Sequence, residues 1–226
     1  MGAVNKHAKD PIVWIDCEMT GLDIARDALV EVAAIVTDSE LTPVDAGMEV
    51  VIKPPPGAVA EMVEVVRDMH TTSGLLEELD AGTTMIDAQQ RVLDYVRRHV
   101  PDAGKAPLAG NSVATDKAFL ERDMPEVVNH LHYRIIDVSS IKELARRWYP
   151  RAYFQAPAKA GGHRALADIL ESIDELRYYR AALWPGGEGP TSQELKQLSA
   201  QISATPTAAA VAAPSPDATD GEVVAT

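Results

Sequence analysis

The sequence predicts an α/β fold, one mixed sheet flanked by helices, and two features predict it. Three short apolar runs lie within the first 52 residues, close enough together to pair as an antiparallel meander. Beyond them, short apolar runs alternate with segments of helical character, the pattern of a sheet with helices packed around it.

The first run is Ile12-Val13-Trp14-Ile15, in which Trp14 reads as core. The second is Leu29 to Val36, and the third is Met48 to Ile52, after a turn at Thr42-Pro43. Thr84-Met85-Ile86-Asp87 opens a helix to Arg98, with Ile86, Val92, Leu93 and Val96 close to one face. Leu108-Ala109-Gly110 and Ile135-Ile136 are short strand candidates, each followed by a helix. Ser140-Ile141-Lys142-Glu143 is a capping-box pattern for the second of those helices. A long helix fits from about Arg164 to Leu183, ended by Pro185-Gly186-Gly187, and Thr191-Ser192-Gln193-Glu194 caps a final one. Residues 204–226 are Ala, Thr, Pro, Val and Ser with a few acids. That composition cannot offset its ordering entropy, so a disordered tail is expected, after a single domain over 11–203 and an N-terminal extension over 1–10.

The charge balance narrows the function. Against 21 Lys+Arg stand 34 Asp+Glu, a formal net charge of −13. A protein that coats long nucleic acid wants a basic surface, so this balance argues against that class. It leaves room for a small nucleotide site at which metal ions supply the positive charge. One cysteine, Cys17, excludes an intramolecular disulfide and every multi-cysteine zinc site. No apolar run has signal-peptide or membrane-span length, so a cytoplasmic protein without a membrane segment is expected.

The informative residues are acids. Asp16 and Glu18 lie two apart at the end of the first run, so on a strand both carboxylates share a face and Cys17 takes the other. Side by side they repel, unless a cation sits between them. An isolated D-x-E is more often a polar strand end. Asp116 begins the helix TDKAFLERD, where an acid by itself only complements the helix dipole. Asp168 lies on the long helix, and His163 precedes it just after Gly161-Gly162. On one continuous helix these two would point about 140° apart, so both reach one site only if His163 leaves the helix axis. Four carboxylates and one imidazole suit a single reaction. Two divalent ions about 4 Å apart can hold a phosphodiester for in-line displacement. Carboxylates suit Mg²⁺ or Mn²⁺, and an imidazole can accept the proton of the attacking water.

IDCEMTGLD, GNSVATDKAFL and HRALADI come in the order and spacing of the three motifs of the DEDDh exonuclease superfamily. With HTTSGL at His70, YRIIDVSSIKELARRWYP and GGHRALADI, the chain resembles the oligoribonuclease family from about Pro11 to Tyr179. The resemblance implies an RNase H-like fold with a central mixed sheet of five strands. It implies two Mg²⁺ or Mn²⁺ ions per site, bridged by Asp16, with Glu18 and Asp168 on the ion beside the attacking water and Asp116 on the second. His163 would be the general base.

The same resemblance implies a 3′→5′ exoribonuclease that releases 5′-mononucleotides from very short RNA. Dinucleotides would be preferred, including the linear one formed when cyclic di-GMP is opened. A cap on the substrate's 5′ phosphate would comprise Ser112, Arg134, Ser139 and Ser140, with Tyr133 supplied by the partner of a homodimer. Leu22 would wedge between the two bases and His70 would contribute near the substrate. One departure stands out: many relatives carry a base-stacking tryptophan where Val65 stands here, which leaves the stacking partner open. Two other readings compete. One is a proofreading-type or RNase T-like exonuclease on longer strands; the other is a nucleotide-binding regulator with a vestigial metal site.

Overall fold

Leu29–Thr37, nine residues and all of them buried, form strand β2, the best-covered strand of the sheet. The computed structural model describes residues 10–158, 162–184, 186, 187 and 189–204. β1 (Ile12–Met19) and β3 (Met48–Val51) pair antiparallel on either side of β2, which is the expected meander. β4 (Pro107–Gly110) then pairs parallel with β1, and β5 (His132–Asp137) parallel with β4. The result is a mixed five-stranded sheet in the order β3-β2-β1-β4-β5.

Strand alternation gives the sheet two apolar faces. Val13, Ile15 and Cys17 of β1 join Val32, Ala34 and Val36 of β2 on one face. Helix α4 (Met85–His99) covers it with Val92, Leu93 and Val96. On the other face Trp14, Ala33 and Ile35 meet Ile169, Ile173 and Leu176 of α9 (Ala165–Leu183). Full burial of each such aliphatic side chain contributes about 1.5–3 kcal/mol. Trp14 is core, as expected, and its indole N–H donates to Thr37 Oγ1 at 3.0 Å.

The remaining helices are α1 (Ala58–Glu61), α2 (Glu64–Thr72), α3 (Leu75–Glu78), α5 (Ala114–Asp123), α6 (Pro125–His130), α7 (Val138–Trp148), α8 (Pro150–Phe154) and α10 (Ser192–Ala204). Two local expectations change. Ile86 does not share the buried stripe of α4 but is 79% exposed. It lies six residues before Val92, about 120° round the helix from it. The α7 cap is Asp137, whose carboxylate accepts from Ser139 N at 3.0 Å, so the helix begins before Ser140. Glu143, expected to complete a capping box, instead takes hydrogen bonds from Arg146 and Arg147. At α10 the capping box forms: Glu194 N donates to Thr191 Oγ1, and Thr191 N returns a bond to Glu194 Oε2 at 2.7 Å.

The chain divides into two units between Leu183 and Trp184, so the expected domain end at 203 lies within the second. Pro185, the extension over 1–9 and the tail from 205 onward lie outside the described residues. Among the described residues no helix is long and apolar enough to cross a membrane.

Candidate active site

β1 points Asp16 and Glu18 to the same face as Trp14, and a bulge follows directly, between Glu18 and Met19. From the opposite layer, the first turn of α9 supplies Asp168. One carboxylate oxygen from each of these three lies within 4.8 Å of the others. Asp116, in the first turn of α5, is outside that group but is tied to it. Its Oδ1 accepts from Cys17 N, the peptide between Asp16 and Glu18, at 3.0 Å.

The electrostatics follow from this crowding. Burial, then the charges of Asp168, Glu31 and Asp116, pushes the Glu18 carboxyl from 4.5 up to about 8. Burial raises Asp116 from 3.8 to about 6, with hydrogen bonds from Cys17 opposing the rise. The Cys17 thiol, buried and flanked by Asp116 and Asp16, is pushed well above its ordinary range and stays protonated. Closely spaced, oxygen-only donors that resist ionising together are a suitable ligand set for a hard divalent cation such as Mg²⁺ or Mn²⁺.

His70 lies behind the acids of β1. It is 1% exposed, so no substrate reaches its ring in this structure. Its Nε2 donates to Met19 O at 2.8 Å, and its Nδ1 faces Glu18 Oε2 at 3.9 Å. Its hydrogen bond thus falls at the Glu18–Met19 bulge.

His163 does leave the helix axis: it is exposed, has φ of 47° and stands two residues before α9. It lies outside the 4.8 Å carboxylate group and borders a groove of about 600 Å³ with Glu64, Val65, Asp68, Met69 and Thr72 of α2. Val65 is therefore on the wall of the same groove, and it is exposed.

The serines expected around a terminal phosphate do converge. Asp137 accepts from Ser112 N at 2.9 Å and from Ser139 N at 3.0 Å, while its other oxygen takes the Ser140 hydroxyl at 2.9 Å. The hydroxyls of Ser112 and Ser139 are 3.1 Å apart. Ser139 also donates to Asn111 Oδ1, and Asn111 Nδ2 donates to Ser172, whose hydroxyl binds Asp168 O at 2.8 Å. The cap thus connects through Asn111 and Ser172 to the helix that presents Asp168. Arg134 is exposed on β5 and meets no carboxylate among the described residues; its guanidinium lies over the Tyr133 ring at 5.4 Å. Tyr133 itself is 76% exposed.

Leu22 is equally exposed, on a loop held by its own acids. Asp27 accepts from Asp23 N at 2.8 Å and from the Thr20 hydroxyl at 3.1 Å. A Cβ at Gly21 would fall 2.4 Å from the Asp27 carboxylate, so only glycine lets the loop close on it. From α5, Arg122 reaches across to the carbonyls of Ile24 and Asp27.

Sequence reasoning missed Asp137, Asn111, Arg122, Glu31 and Arg164. Glu31 had a signal: it is the one charged residue in the apolar run LVEVAAIV, and a buried acid needs a partner.

Residues 13–176 match the exonuclease family. The oligoribonuclease of Streptomyces griseus is 63% identical over 195 residues, covering 86% of this chain and 97% of that protein. The oligoribonuclease of Cutibacterium acnes is 58% identical over 190 residues, with 84% and 94% covered. Among solved structures, exonuclease I from Methylocaldum szegediense superposes with a TM-score of 0.55 at 19% identity, over 76% of this chain but only 41% of that one. That likeness extends to the fold alone.

Proposed function

The chain belongs to the oligoribonuclease family of exonucleases, and from that premise we propose that it is a metal-dependent 3′→5′ exoribonuclease of very short RNA. Its preferred substrates are 5′-phosphorylated dinucleotides, among them the linear product of cyclic di-GMP opening, and its products are 5′-mononucleotides. The observation that carries the reading is the convergence of Asp16, Glu18 and Asp168 within 4.8 Å, with Asp116 hydrogen-bonded to the backbone between the first two.

Asp16, Glu18, Asp116 and Asp168 are the proposed holders of two Mg²⁺ or Mn²⁺ ions. When bound, such ions neutralise the phosphodiester and stabilise the charge that develops on the attacking and leaving oxygens. His163 takes the proton of the attacking water on its free ring nitrogen. Water oxygen bonds to phosphorus, the P–O3′ bond breaks, and the 3′ oxygen leaves as a hydroxyl once protonated by solvent. His70 braces the backbone next to Glu18 through its hydrogen bond to Met19 O at 2.8 Å.

Length selection is assigned to the cap. Ser112, Ser139 and Ser140 gather hydroxyls, those of Ser139 and Ser140 turning from Asn111 and Asp137 to donate to a bound phosphate, and Arg134 adds a guanidinium without a carboxylate partner among the described residues, which suits a terminal phosphate dianion. Leu22, presented on its braced loop, separates the two bases. A homodimer completes the site with Tyr133 from the partner. Support comes from the position of β5 at the edge of the sheet and from the exposure of Tyr133, Trp148 and Phe154 nearby in sequence. A cytoplasmic setting fits these substrates.

The test compares mononucleotide release from a 5′-phosphorylated dinucleotide, a long RNA and a long DNA, with Mg²⁺ and with chelator. The proposal requires metal-dependent release that is fastest on the dinucleotide. Equal or faster cleavage of the long strands favours an RNase T-like enzyme, and turnover that survives chelation and Asp16→Ala removes the acidic site from the reaction.

A further inference from the structure

We propose that Glu31 and Arg164 form a positioning pair that fixes His163 and Asp168 against the acids of β1. This deepens the hydrolytic reading above and rests on it. Glu31 is fully buried and stands directly opposite Glu18 in the β1–β2 register. A buried carboxylate has to be bonded, and among the described residues the hydrogen bonds Glu31 accepts come from the segment that begins α9. Arg164 Nε and Nη2 donate to Oε1 at 3.0 and 2.8 Å, and Ala165 N donates to Oε2 at 3.0 Å. The other edge of the guanidinium meets Glu78 Oε1 at 2.9 Å.

The Arg164 side chain therefore joins β2 to α3, and the Glu31 carboxylate ties β2 to the first residue of α9. The two functional groups lie on either side of it along the chain. His163 comes directly before, in a left-handed conformation that a non-glycine residue keeps only when its surroundings impose it. Asp168 comes one turn after, and its backbone N–H closes on Arg164 O at 3.0 Å. A shift of Arg164 moves the proposed base and a proposed ligand together, relative to Asp16 and Glu18. Lysine in its place would keep the charge, but a single ammonium cannot reproduce the planar fork that spans Glu31 and Glu78. Neither Glu31 nor Arg164 is assigned a contact with substrate; both act through their neighbours.

The experiment uses Arg164→Lys, Glu31→Gln and the double variant in the full chain. Each is assayed with saturating Mg²⁺ on a 5′-phosphorylated dinucleotide and on the p-nitrophenyl ester of a 5′-mononucleotide, well below its own melting temperature. A misplacement of about 1 Å costs on the order of 100-fold, so kcat should fall about 10- to 100-fold on both substrates with KM within about twofold. Because the two residues form one unit, the double variant should be no slower than the worse single variant. Wild-type kcat in both singles, multiplicative losses in the double variant, or a rise in KM with kcat intact each overturn the pairing. A wild-type protein that releases no mononucleotide overturns the hydrolytic reading instead.

Discussion

Glu18 and Glu31 face each other across β1 and β2, both buried, yet Glu31 takes the Arg164 guanidinium at 2.8 Å while Glu18 is driven up to about 8. Like charges directly opposite on a sheet are destabilising. The fold settles one member of the pair with an arginine and leaves the other to resist ionisation, which suits a ligand for a cation.

The first prediction is a stability profile of the metal-free protein. Glu18 has a folded value of about 8 against 4.5, and Asp116 about 6 against 3.8. Between the lower and upper values the folded state binds more protons than the unfolded one. Stability contributed by the protonated groups is full below about pH 4 and is lost as pH rises toward 8, a loss on the order of a few kcal/mol. Divalent metal reverses the trend because it binds the deprotonated groups. The rise in melting temperature on adding Mg²⁺ or Mn²⁺ should therefore grow steadily from pH 5 to pH 8. A metal-induced shift that is flat across that window contradicts the assignment.

The second concerns Glu18→Gln. The amide fills the same space without the opposed charge, so the metal-free variant should be more stable than wild type by about 1–2 kcal/mol at pH 8, with activity reduced at least about 100-fold. Chemical denaturation paired with a dinucleotide assay checks both halves. Loss of stability together with activity would mean that Glu18 is structural.

His163 separates function from folding in the same way. Its φ of 47° suits glycine, so His163→Gly should leave stability unchanged or raise it by up to about 1 kcal/mol. Loss of the base should lower kcat by about 10²- to 10⁴-fold. Activity within a few-fold of wild type would assign proton transfer to another group.

The parts of this site that were legible in the sequence are those that depend on period and local chemistry. Asp16 and Glu18 share a face because strand residues two apart always do, whereas Ser112, Ser139 and Ser140 are named only through the resemblance, Ser139 and Ser140 standing in the first turn of α7. The short helices α1 to α3 gave no such signal. They span only 4, 9 and 4 residues, with Gly57 and Gly74 in left-handed conformations between turns, and so are too short to show a 3.6-residue period. In the sequence Arg164 marks only the start of a helix, because its partners Glu31 and Glu78 are 133 and 86 residues away. The burial of His70 was hidden for the same reason: Met19, which accepts its hydrogen bond, lies 51 residues earlier.

Arg122 yields a prediction about recognition rather than chemistry. Its guanidinium holds the Ile24 and Asp27 carbonyls, bracing the loop that presents Leu22. Removing such bonds costs about 0.5–1.5 kcal/mol each, so Arg122→Ala should raise KM for dinucleotides about 3- to 10-fold with kcat little changed. The p-nitrophenyl ester of a mononucleotide has no second base to separate and should be turned over normally. An equal loss on both substrates would place the effect in the acids, through Asp116 on the same helix.

The final prediction follows from net charge. A chain of formal charge −13, with Arg134 as the proposed cationic side chain of its phosphate cap, has no long basic track along which to displace counterions. A substrate with one bridging and one terminal phosphate releases only one or two counterions. With a slope of about −0.7 per phosphate for single strands, kcat/KM on a dinucleotide should fall less than about tenfold between about 50 and 200 mM salt at saturating Mg²⁺. At the same slope, a backbone-tracking nuclease making six or more phosphate contacts loses about 300-fold or more over that range. Steep inhibition here would reveal a cationic path that the charge balance does not suggest and would shift the reading toward longer strands. A shallow slope together with a preference for dinucleotides over long RNA would place the source of affinity in the metal site and the cap around Asp137.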